Sequence, residues 1–82
     1  MKAFIYVNLK PSVLDPQGKA IHHSALSLGF DGIADIRQGK FFKLEFAENV
    51  TEDSARDLAE RLANEMLSNP VIEDYKVQII NE

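Results

Sequence analysis

Two adjacent histidines, His22 and His23, are the side chains best suited to hold a metal, and their spacing argues against it. Neighbours on a helix diverge by about 100°, so they cannot close on one ion as an i, i+4 pair does. A solvated helix face is the simpler expectation for both. Ser12, Ser24, Ser27, Ser54 and Ser68 sit in no nucleophile-elbow context, and with no cysteine the chain shows no motif for nucleophilic catalysis. The carboxylates gather locally as Glu52-Asp53, Asp57-Glu60 and Glu73-Asp74. A helix N-terminus, a wet helix face and a strand entry account for them, whereas paired acid-base chemistry needs carboxylates opposed across a cleft. Gly18-Lys19 near a helix start could attract an anion, but Asp15 as N-cap already occupies the free amides and Pro16 removes one. No catalytic residue, cofactor-binding residue or metal ligand is therefore expected.

The elements that position these residues follow from periodicity. Ala3, Ile5, Val7 and Leu9 share one face of a first strand, with Phe4 and Tyr6 on the other. Asp15-Pro16 matches an N-cap followed by proline at the first helical position, and Gly29 is placed to end that helix near Leu28. Ala34 and Ile36, then Phe42, Leu44 and Phe46, keep one parity across Gln38-Gly39. That pattern predicts two antiparallel strands joined by a tight turn, or one long ribbon bent at Gly39 and exchangeable between protomers. Thr51 caps a second helix, on which Ala55, Leu58, Ala59, Leu62, Ala63, Met66 and Leu67 form one apolar stripe. Pro70 stops it, and a last strand is expected from Val71 to about Ile80.

The order is β-α-β-β-α-β, an α+β ferredoxin-like sandwich. It implies a four-stranded antiparallel sheet with two helices on one face, in a single domain spanning residues 1–82. At 82 residues one hydrophobic core supplies only about 3–5 kcal/mol of net stability. Without cysteine there is no disulfide or thiolate metal site to add to it. Phe4 and Tyr6 would lie bare on the far sheet face, so dimerisation through the sheet is expected, giving a homodimer or tetramer.

Charge narrows the partners. Thirteen acidic against nine basic residues give −4, a field that repels nucleic acid and anionic membranes. No long apolar run exists and the start alternates like a strand, so a cytoplasmic location is expected. Residues 5–9 and 40–46 superficially resemble the aromatic strands of an RNA-recognition motif. They lack its spacing and its glycine-aromatic pattern, and core or dimer packing explains the aromatics better.

Three local sequences carry a more specific resemblance: Leu14-Asp15-Pro16-Gln17-Gly18, Arg37-Gln38-Gly39-Lys40 and Asn69-Pro70-Val71-Ile72-Glu73-Asp74-Tyr75. Their sequence and placement resemble the PurS family, subunits of phosphoribosylformylglycinamidine (FGAM) synthase in purine biosynthesis. The resemblance implies a non-catalytic assembly subunit that bridges a PurL synthetase and a PurQ glutaminase and assists ammonia transfer. ATP, Mg and glutamine would be used by those partners and not by this chain. It makes Leu14 to Gly18 and Arg37 to Lys40 candidate contacts with PurL and PurQ, and Asn69 to Tyr75 a candidate protomer contact. Arg37 and Lys40 stand out as exposed cations with no evident packing reason on an acidic chain. A ligand-binding regulatory domain of ACT-like type is the alternative, by analogy of fold alone. An acylphosphatase-like hydrolase would need an arginine in the loop after the first strand, and Lys10 to Gly18 has none.

Overall fold

The computed structural model describes residues 1–81. Strand β1 (Lys2–Leu9) is central in an antiparallel sheet of order β2-β1-β3, with β2 spanning Gly39–Glu45 and β3 spanning Glu73–Ile80. Helix α1 runs Pro16–Ser27 and helix α2 runs Glu52–Leu62, the latter continued by a π-helical turn over Ala63–Leu67. The element order follows the ferredoxin-like expectation.

Two expected features are corrected. Among the described residues the sheet has three strands, not four, because Ile33 to Gln38 forms no ladder there. An alternating pattern marks an extended segment, but only a neighbour's N–H and C=O groups make it a strand. Nor do both helices cover the sheet: α2 packs on β1 and β3, whereas α1 has no substantial packing on any strand. The chain is consequently long and thin, 51 × 28 × 14 Å with a radius of gyration of 16.2 Å. A compact domain of this length would measure about 12 Å.

The core lies between α2 and one sheet face. Ala3, Ile5 and Val7 of β1 are fully buried against Ala59 and Ala63, with Phe42, Leu44, Tyr75, Val77 and Ile79 packed around them. Small alanines let α2 approach closely, so of its expected apolar stripe only Ala55, Ala59 and Ala63 are buried, and Leu58 and Met66 remain exposed. The helix is fixed at its start by the Thr51 hydroxyl, which accepts from the Ser54 N–H at 3.2 Å. The π-helical turn is closed by Ser68, whose N–H and hydroxyl both donate to the Ala63 oxygen, at 3.0 and 2.7 Å.

Helix α1 begins and ends as its sequence dictates. The Asp15 carboxylate accepts the Gly18 N–H at 2.9 Å, and Pro16 occupies the first helical position. At the other end Gly29 takes φ 91°. This left-handed residue lets its own N–H reach the Leu26 oxygen and the Phe30 N–H reach the Ala25 oxygen.

Candidate functional site

The three motifs, far apart in sequence, meet at one corner of the molecule. Asp15 is the hub: it is 5 % exposed, and its second carboxylate oxygen accepts the Gln38 N–H at 2.7 Å. The Gly18 and Gln38 amides, then the Arg37 charge, hold its pKa below the usual carboxylate value against the opposing effect of burial. Arg37 reaches back to the start of the loop, where its Nη2 donates to the Val13 oxygen at 2.6 Å and the Lys10 oxygen at 3.2 Å. Gly18 permits this convergence: a Cβ there would collide with the Ile36 carbonyl and lie 2.7 Å from the Asp15 carboxylate. Gly39 is restricted in the same way by Asn8 and the Val7 carbonyl.

The third motif joins through β3. Lys40 Nζ pairs with Glu73 at 3.2 Å, and Lys10 Nζ pairs with Asp74 at 2.9 Å. The other Glu73 oxygen accepts the Asn69 N–H at 2.6 Å, while the Asn69 side chain accepts the Val71 N–H at 3.1 Å. That amide, with help from Lys40, depresses the Glu73 pKa despite partial burial. Val71 and Ile72 therefore lie in a turn, not in the last strand as expected, and Val71 is 81 % exposed. Tyr75 faces the helix side of the sheet, where burial and then the charge and hydrogen bond of Glu60 push its phenol up.

Between these groups lies an open cavity of about 310 Å³, lined by Val7, Leu9, Asp15, Gln17, Gln38, Gly39, Lys40 and Glu73. Around it, Leu14 is 71 % exposed, and Pro16, Gln17 and Pro70 also face outward. The motif residues thus divide by role. Asp15, Gly18, Arg37, Gly39, Asn69 and Glu73 build the corner, and Leu14, Pro16, Gln17, Pro70, Val71 and Ile72 are displayed on it. The expectation that Arg37 and Lys40 lack an internal reason for their charge is corrected, since both have partners within the chain. Those partners are 24 or more residues away, beyond any local signal.

Sequence reasoning also missed two pins. His22, read as solvated, has Nε2 2.7 Å from the Ile33 carbonyl, and Lys19 lies 3.8 Å from Asp35. His23 stays exposed, and among the described residues no group of three His, Cys, Asp or Glu could hold a metal ion. On the sheet face away from α2, Phe41 lies 5.3 Å from both Phe4 and Tyr6 in tilted ring contacts and is 55 % exposed. That places the two expected packing residues in an uncovered aromatic cluster.

A ferredoxin-like chain with an unpacked helix, a bare aromatic sheet face and a tightly built corner displaying apolar side chains is a subunit-type module. The comparisons give the family. The family model described as PurS, phosphoribosylformylglycinamidine (FGAM) synthase, matches residues 2–81. The FGAM synthase subunit PurS of Bacillus subtilis (strain 168) is 40% identical over 81 residues, covering 95% of this chain and 90% of that one. The Mycobacterium leprae PurS subunit is 42% identical over 76 residues, covering 93% and 91%. A chain in the structure of PurLQS from Thermotoga maritima superposes with a TM-score of 0.81 at 31% identity, covering 94% of this chain and 93% of that one.

The chain belongs to the PurS family and is a subunit of FGAM synthase. This assignment does not support the ACT-like alternative.

Proposed function

We propose that this chain is a non-catalytic assembly subunit, working as a homodimer or tetramer in the cytoplasm, that bridges the PurL synthetase and PurQ glutaminase and assists ammonia transfer between them. It binds no cofactor itself; ATP, Mg and glutamine belong to its partners. The observation that carries the reading is the open shape of the molecule. Helix α1 and its flanks expose Leu14, Ile21, Leu26, Leu28, Phe30 and Ile33 with no strand beneath them. So much unpartnered apolar surface on so small a chain is stabilised by burial in an assembly.

Two surfaces divide the work. A second copy covers the Phe4, Tyr6 and Phe41 face, where aromatic rings contribute large area at low entropy cost. The corner meets the larger subunits through Leu14, Pro16 and Gln17, with Lys40 beside them at its edge, and its Asn69 to Tyr75 side contributes to the contact between protomers. Ammonia is protonated and lost in bulk water, so a bridging subunit contributes by sealing contacts and not by reactive groups. No helix among the described residues is long and apolar enough to cross a membrane.

The test uses Leu14→Asp and Gln17→Asp, chosen because both side chains are exposed and neither supports the fold. Each variant should melt like the parent yet fail to co-migrate with PurL and PurQ in size-exclusion chromatography. Normal co-migration with full glutamine-dependent synthesis would remove the corner from the interface.

A further inference from the structure

Helix α1 and the segment that returns from it behave as one arm. His22 on Ile33, Lys19 on Asp35 and the close approach of Gly18 to the Ile36 carbonyl tie the first half of the helix to the segment that returns from it. Among the described residues no strand of the sheet packs substantially on the arm. Within one chain its direction is therefore set at the base, where two chain crossings occur: the entering loop, residues 10–15, and the leaving segment, residues 36–38. Arg37 binds the first to the second through the Lys10 and Val13 carbonyls, and Asp15 does so through the Gln38 amide.

We propose that Asp15 and Arg37 form a basal lock that sets the direction of the α1 arm relative to the sheet, and so where the arm's exposed apolar residues, Ile21, Leu26, Leu28, Phe30 and Ile33, stand in the assembly. They are positioning residues, acting through the backbone they hold and not by touching a partner. A buried carboxylate spanning two backbone amides, with a guanidinium closing the same loop from the other side, leaves little freedom at the crossing. Lys40 and Glu73, equally near the cavity, lie on the sheet side of the crossing and do not restrain it. The link from arm direction to assembly rests on the assembly reading above; the direction itself does not.

The absence of cysteine makes the measurement direct. Spin labels at Ser27→Cys, at the arm tip, and Arg56→Cys, on α2, report one intrachain distance by pulsed electron resonance, with labelled chain diluted into unlabelled chain. The parent should give a single narrow distribution. Arg37→Ala and Asp15→Asn should broaden and shift it, and Lys40→Ala should not. Arg37→Met keeps the stem without the donors and reads the same quantity if Arg37→Ala fails to fold. A parent-like distribution in folded variants lacking the Arg37 donors, or equal broadening by Lys40→Ala, overturns the lock. Broadened variants that still assemble fully with PurL and PurQ overturn its link to assembly while leaving the arm's tie intact.

Discussion

Replacing Gly18 with alanine sets two physical effects against each other. Helix propensity alone favours alanine, by about 1 kcal/mol in a helix interior and less in a first turn. Space opposes it. The added Cβ meets the Ile36 carbonyl inside contact distance, the Asp15 carboxylate at 2.7 Å and the Arg37 Cα at 3.0 Å. Two of those atoms are backbone, and the third cannot retreat without releasing the Gln38 amide. Overpacking against groups that cannot yield costs about 1–3 kcal/mol, and this site belongs near the top of that range. The net loss is then about 1–2 kcal/mol, which lowers the melting temperature of a domain this size by roughly 5–15 °C. Thermal melts followed by circular dichroism at several protein concentrations, to separate folding from association, read the change. A variant as stable as the parent, or more so, would refute the claim that close approach rather than conformation selects glycine here.

Other outcomes follow from the same geometry. Asp15 and Glu73 have depressed folded-state pKa values, so their stabilisation is complete above the unfolded values of 3.8 and 4.5 and lost as pH falls through the lower folded ones. Asp15→Asn, which turns one acceptor into a donor facing an N–H, should flatten the acid limb of a melting-temperature-against-pH curve; an unchanged limb contradicts the Asp15 account. Ile5→Ala empties a fully buried site against Ala59 and should cost about 2–5 kcal/mol, seen as a drop of roughly 8 °C or more. Phe41→Ser should weaken self-association in sedimentation velocity while leaving the far-ultraviolet spectrum unchanged; undiminished association would show that another surface pairs the copies. Lys40→Ala should change stability by less than about 1 kcal/mol, because the Lys40 side chain is half exposed; a larger loss in chemical denaturation would make that pair structural.

The local rules were legible and the distant ones were not. Asp15-Pro16, Gly29 and Thr51 announced helix ends that the structure places where the sequence expects them, because caps act within a few residues. The three motifs were recognisable as strings, yet nothing in them says that Asp15 meets Gln38 or that Lys40 meets Glu73, contacts fixed by topology. The Ala34 and Ile36 alternation was real, but the partner strand it needs is not supplied by this chain. The apolar stripe of α2 is wider than the surface this chain offers it: with α1 elsewhere, Leu58 and Met66 stay exposed. Both features point to the same cause, a chain whose apolar pattern is written for an assembly.

Reconstitution asks the central question most directly. Purified PurL and PurQ, given formylglycinamide ribonucleotide and ATP, are supplied with either glutamine or ammonium salt, with and without this chain. The assembly account predicts that synthesis from glutamine requires the chain while synthesis from ammonium does not. Full glutamine-dependent turnover without it, or an equal requirement with ammonium, would contradict the account.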